Sequence, residues 1–271
     1  MCDLWKGTTR GPTSPGLLPA QVDAGLARLG TARHLKLYNA GSFFDVAAVP
    51  TSDLPALAER ARRFERLIVE CHPSLVGPRV LPFRDLLGPT SLEVALGLET
   101  IHPEVLPRLN KRMTAGGFAG AARLLREEGI GVRAFVLVGL PFLSPAESDL
   151  WARRSIEFAF RCGAGAVTLI PTRPGAGALD HLARTGHFIP PTLGRLEEVS
   201  AWGVALGAGR LFADTWDLAS FAACAGCLPI RSARLERQNL EQRLVPPVLC
   251  ERCGGSADPQ ELSPPPSAPL A

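Results

Sequence analysis

Four cysteines fall into two C-x2-C pairs, Cys224 with Cys227 and Cys250 with Cys253, separated by residues 228–249. A C-x2-C turn brings two thiolates to one ion, and two such turns complete a tetrahedral set. Zinc is the favoured ion because it needs neither redox tuning nor a vacant position. An iron-sulfur cluster is the chief rival. Disulfides come third, because the N-terminus MCDLWKGTTR has no apolar core of a secretory signal. The stretch between the pairs, RSARLERQNLEQR, is basic and able to touch a phosphate backbone, but reads more simply as a solvated linker face.

The remaining chemistry-bearing residues are dispersed. Cys71 and Cys162 sit in apolar or small-residue segments and read as core thiols. Cys2 stands apart. Glu70 and Glu99 end otherwise apolar runs, where a buried carboxylate is costly without a partner, so each requires an ion pair or a polar ligand. His72, His102, His181 and His187 show no metal-ligand spacing.

The elements that must position these residues alternate. HLKLYNA after Arg33 reads as a strand leading into the loop GSFFD, where Gly41 permits a sharp exit. A helix follows from Leu54 to Phe64, with Ser52 or Asp53 as N-cap. RLIVECHP is the next strand and SLEVALGLET another, and the helix from Ala115 to Glu128 is ended by Gly129. VRAFVLVGLP is a strand. Ser144 and Pro145 open a long helix through about Cys162. AVTLIPTR, a helix from Leu193 to Leu206 and a strand in LFADTW complete the pattern. Strands alternating with helices indicate βαβ units and a parallel sheet, either an open doubly wound sheet or a barrel. Both gather ligands at the carboxyl ends of the strands, where Gly41, Ser42, Glu70, Gly97, Glu99, Gly139–Pro141 and Pro171–Thr172 fall.

Composition sets limits. The 271 residues are 46% hydrophobic and 20% charged, which fits a folded chain with a sizeable core. A net charge of +3 is too small to argue for nucleic-acid binding by electrostatics alone. No apolar run reaches the roughly 20 residues that cross a bilayer, so a cytoplasmic protein without a membrane partner is expected.

The ordered segments resemble a known family: radical S-adenosylmethionine (SAM) proteins of the group containing the archaeosine synthase radical SAM subunit, with the Elongator-type tRNA enzymes as more distant relatives. MCDLWK is similar to the end of the family's C-x3-C-x2-C cluster motif, KLYNAGSFFD to its second-strand motif, and VECHP to the next. LEVALGLET with LNKRMT is similar to the strand ending in G-L-E-T and the turn after it; GFAGAARLLREEGIGVRAFVLVGLPFLSPAES and IPTRPGAGALDHLARTGHFIPPTL extend the likeness in order, from about Cys2 to Val199. The resemblance implies a partial TIM barrel holding SAM and a [4Fe-4S] cluster, served by an electron-donor protein, with a modified nucleoside in tRNA as substrate. It implies Gly41 and Ser42 near the methionyl amino group, and Glu70, Gly97 and Glu99 among the polar or close-approach positions around SAM. Cys2 corresponds to the third cluster cysteine. The two that precede it in the motif are missing, which is read as a start set too late or as a variant that has lost the reaction.

The expected organisation is therefore an α/β, parallel-stranded partial TIM barrel of radical SAM type over residues 1–217, lacking an N-terminal cluster segment. A four-cysteine zinc knuckle is expected over 218–257 and a disordered tail over 258–271. The expected function is that of a radical SAM enzyme; the alternatives are a non-catalytic protein of the same fold without the cluster, and a zinc-knuckle RNA-binding module.

Overall fold

The computed structural model describes residues 11–39, 41–174 and 177–253; Cys2 and the 258–271 tail lie outside them. Six strands, β1 (His34–Leu37), β2 (Arg66–Cys71), β3 (Ser91–Glu99), β4 (Gly131–Val138), β5 (Ala166–Pro171) and β6 (Arg210–Ala213), stand in one sheet in the order β1-β2-β3-β4-β5-β6. The pairs β1–β2, β2–β3 and β5–β6 are parallel. A strand order that never doubles back has no switch point. This is the winding of a barrel wall, and it settles the choice against a doubly wound sheet.

The helices are α1 (Leu17–Leu26), α2 (Leu54–Ala61), α3 (Val80–Leu86), α4 (Val105–Arg108), α5 (Ala115–Glu127), α6 (Pro145–Arg161), α7 (Ala178–Arg184), α8 (Leu193–Ala205) and α9 (Leu228–Glu241). Their starts follow local chemistry. The Thr114 side chain accepts from the Gly117 amide at 3.0 Å and opens α5. Thr192 does the same for Arg195 at 3.3 Å and α8. Ser144 and Glu147 form a reciprocal capping box, with Ser144 N donating to Glu147 Oε2 at 2.9 Å and Glu147 N to Ser144 Oγ at 3.3 Å. Asp53 precedes α2 without capping it; its Oδ1 instead accepts from the Gly16 amide at 2.8 Å.

The chain divides into two compact units. The first holds the described residues up to Leu98 with Lys111–Ala134 and Cys162–Gly165, the second Glu99–Asn110, Phe135–Arg161 and the described residues from Ala166 on. In the first unit, paired residues of parallel strands point to the same side. Leu35, Leu67, Val69, Cys71, Leu92, Val94, Leu96 and Leu98 lie on one face, all nearly inaccessible. Lys36, Arg66, Ile68, Glu70, Glu93, Ala95 and Gly97 share the other. That second face is closed near the strand starts by Glu93, which accepts from Arg133 Nε at 2.7 Å and from Arg66 Nη1 at 3.2 Å. Glu93 and Arg133 are each only 3% exposed.

In the second unit α6 and α8 cover β5, and α8 and α9 cover β6. The stretch read as a solvated linker between the cysteine pairs is α9, and its Arg231, Arg234, Leu235 and Gln238 are buried. Two amide side chains of this segment serve β6: Asn239 accepts from Ala213 N and donates to Ala213 O, both at 2.8 Å. Gln242 accepts from Leu211 N at 2.8 Å and donates to Leu211 O at 3.0 Å.

Glu93→Ala leaves Arg133 buried beside an empty space, and a loss of about 3–5 kcal/mol in stability is expected. Urea unfolding measures it. The paired exchange Glu93→Leu with Arg133→Met recovers most of the loss, because it removes both charges together.

Candidate functional site

The loop after β1 is held at several points. Phe43, Phe44 and Phe83 of α3 stack with ring centroids 4.9–6.0 Å apart. Arg79 donates to the carbonyls of Phe44 at 2.7 Å and Val49 at 2.9 Å. Gly41 lies so close to Ala48 that an added Cβ would meet that residue's Cβ at 3.0 Å. The loop is then laced to the end of β2: Phe43 N donates to Glu70 O at 2.8 Å, and His72 N donates to Ser42 Oγ at 2.9 Å. His72 itself is spent on structure, its ring bonding Ser74 Oγ at 2.7 Å and Lys111 O at 2.8 Å.

The structure therefore brings Ser42, Glu70 and the strand position of Gly97 to one end of the first unit, with Gly41 in the same loop. Glu70 is paired in register with Ala95, two residues before Gly97. The residues at 95 and 97 of that face are small, and Ala95 is fully buried. Glu99 belongs to the second unit, where it is 8% exposed and sits at φ 62°. A non-glycine residue in the left-handed region at the last position of a strand stores strain of the kind that gathers at ligand sites.

Tyr38 was not singled out from the sequence. It follows β1 directly, and register places it beside Glu70. Partial burial pushes its phenol up to about 12; Arg133 pulls the other way, while Glu70 and Glu93 add to the rise. The strand alternation would have exposed it: His34, Lys36 and Tyr38 are the polar positions of an otherwise apolar run.

In the second unit the strand ends are equally constrained. Gly139 sits at φ 82° with Pro191 Cδ 2.4 Å from where a Cβ would stand, so no side chain fits. Ser148 Oγ accepts from the amides of Gly139 at 3.1 Å and Leu140 at 2.7 Å. Phe142, at φ 70°, lies under the Arg108 guanidinium at 3.5 Å. Thr172, just after β5, is 4% exposed and its hydroxyl has no hydrogen-bond partner among the described residues.

The four cysteines converge as their spacing requires. Their sulfurs all lie within 4.8 Å of one another. Cys224 and Cys250 are 4.0 Å apart and Cys227 and Cys253 3.6 Å. A tetrahedral ion with metal–sulfur bonds of about 2.3 Å separates its thiolates by about 3.8 Å. A four-iron cluster interposes its own inorganic core and holds its thiolates farther apart, so this set fits a single ion. Amides of Cys227 and Gly226 hold the Cys224 thiol down to about 7. Burial pushes Cys227 up to about 11. Cys71 is buried in the core as expected, and Cys162 is half-buried.

Among solved structures, Elp3 of Methanocaldococcus infernus with an N-terminal deletion superposes with a TM-score of 0.59 at 17% identity, covering 85% of this chain and 62% of that one. A queuine lyase from Clostridium spiroforme bound to SAM and queuine gives 0.44 at 20% identity over 58% of this chain and 63% of its own. An uncharacterized protein of Methanocaldococcus jannaschii is 22% identical over 171 residues, 61% of this chain and 47% of its own length. No family model matches. The fold is that of the Elongator-type radical SAM proteins. The chain spans about half the length of the curated relative and less than two thirds of the Elp3 chain.

Tyr38 is the chain's single tyrosine, so its titration is directly visible. Absorbance at the phenolate band is expected to rise with a midpoint at about 12. Since the folded state holds the neutral phenol longer than the unfolded one, the associated stability is present below about pH 10 and lost as pH climbs toward that midpoint. Glu70→Gln should lower it; an unchanged midpoint would separate the two groups.

Proposed function

We propose that this chain works as a radical SAM enzyme, with SAM on the polar face of β1–β3 and a modified nucleoside of tRNA as substrate. What supports the reading is the pairing of a radical SAM fold with a polar strand face that is closed by ion pairs at one end and carries Glu70 and Gly97 toward the other. Gly41, Ser42, Glu70 and Gly97 are the residues that would hold SAM. Gly41 and Ser42 would lie against its amino group, and Glu70 on the ribose or aminoacyl end. Glu99 joins them on the resemblance alone. Ordered backbone at 41–43 and small residues at 95 and 97 fit such a ligand, because close approach needs a fixed loop without bulky neighbours.

The [4Fe-4S] cluster is a different matter. When bound it supplies the electron that cleaves SAM. Cys2 is one thiolate, the two cysteines that the C-x3-C-x2-C pattern places before it are not in this sequence, and the four grouped cysteines are spaced for one ion. One thiolate cannot hold that cluster by itself, so the enzyme reading requires two further thiolate ligands beside Cys2. A second reading, a non-catalytic protein of the same fold, rests on the spacing of the four grouped cysteines for one ion. For the four-cysteine centre we propose zinc, whose bond length its sulfur spacing matches. A reducing cytoplasm suits four free thiols, and no helix of the described residues is long and apolar enough to cross a membrane.

Two measurements test the proposal. Equilibrium dialysis should show SAM bound by the chain, and Gly97→Val, which places a branched side chain at the glycine of the proposed SAM face, should weaken binding at least tenfold. Failure to bind SAM would remove both readings. Anaerobic reconstitution with iron and sulfide then separates them: cluster absorbance with release of 5′-deoxyadenosine supports the enzyme, whereas SAM binding without either supports the non-catalytic protein.

A further inference from the structure

The charges around the four-cysteine centre do not balance among the buried side chains that meet there. Glu197 of α8 is 2% exposed, and Arg231 and Arg234 of α9 are 4% exposed each. Arg231 donates to Glu197 Oε2 from Nε at 3.1 Å and from Nη2 at 2.5 Å. Arg234 Nη1 approaches Glu197 Oε1 at 3.4 Å, while its Nε donates to the carbonyls of Val245 at 3.1 Å and Pro246 at 2.8 Å. Two guanidinium charges thus share one carboxylate. Burying the remaining positive charge is strongly unfavourable unless a negative group meets it. Arg231 also stands one helical turn after Cys227, the residue immediately before α9, with its amide donating to the Cys227 carbonyl at 3.0 Å.

We infer that the metal centre supplies the missing negative charge and that Arg231 is its outer-sphere partner, so that metal loading fastens α9 onto α8 through Arg231 and Glu197. The inference rests on the reading of the four cysteines as a single-ion site. As four sulfur–metal bonds form, four thiols release their protons to solvent, and a divalent ion then leaves a net charge of −2 spread over the sulfurs. That charge lies at the N-terminal end of the 14-residue α9, where the helix dipole also favours it. Arg231 then bridges two anions. Without the metal it keeps only half of one carboxylate, and the α8–α9 contact loses the term that made its second arginine tolerable.

The test uses the full chain with Zn2+ and Co2+ as probes. In the wild type, stripping zinc with a chelator should abolish amide-exchange protection through α9 as far as Gln238 and in α8 around Glu197; protection that is equal with and without zinc would overturn the inference. Arg231→Gln should surrender zinc to a chromophoric chelator about 10- to 100-fold more readily. It should also move the thiolate-to-cobalt absorption to longer wavelength, because Cys227 loses a donor to its sulfur. Arg234→Gln removes the same charge from the same carboxylate and should leave that band in place. An unshifted band in Arg231→Gln overturns the outer-sphere role while leaving the metal site intact, whereas a wild-type chain that takes up neither ion overturns the metal site itself.

Discussion

A β-strand cannot send successive side chains to the same side, and in the first unit this constraint is met with unusual strictness. One set of alternate positions is apolar from β1 to β3; the other carries Lys36, Arg66, Glu70 and Glu93. The apolar set demands cover, which explains why each strand is followed by a helix with a buried stripe. The polar set demands partners. Near the strand starts it finds them in the Glu93 pairs with Arg66 and Arg133, and toward the strand ends the same face carries Glu70, Tyr38 and two small residues. One rule of backbone geometry therefore produces both the packing and the place where a ligand would be received.

The second unit uses a different device. Its last helix carries few apolar residues on its buried side and is held instead by Glu197, Ser200 and the edge of β6. Such a polar contact has little hydrophobic driving force of its own, so its strength depends on how completely its charges and donors are matched. The four-cysteine centre at its head belongs to that matching.

Much of this was legible in the residues. The strands were visible because β-branched and aliphatic runs ended in Gly, Pro or acidic punctuation, and the cysteine set because its spacing has few other uses. Ser144 and Pro145 announced the start of α6 by local chemistry. What stayed hidden was tertiary. Helix α9 reads as polar because the residues it buries, Arg231, Arg234 and Gln238, are satisfied only by groups more than thirty positions earlier or by the chain that returns after it. Helices α1 and α3 escaped notice because their apolar residues do not recur with a clean helical period. Glu93 passed as one charge in an apolar run; its partner Arg133 lies 40 positions away, a distance over which no local pattern operates. Whether a strand order doubles back is likewise a property of the assembled sheet.

The amide groups of Asn239 and Gln242 stand along β6 as a neighbouring strand's peptide groups would, each giving and taking one hydrogen bond with the same residue. β6 is the last strand of its sheet, and bare terminal strands recruit one another into aggregates. These two side chains counterfeit a seventh strand that no other chain can displace without first lifting the helix. A molecule starved of metal would then be endangered less by a lost reaction than by a sticky rim it had kept covered.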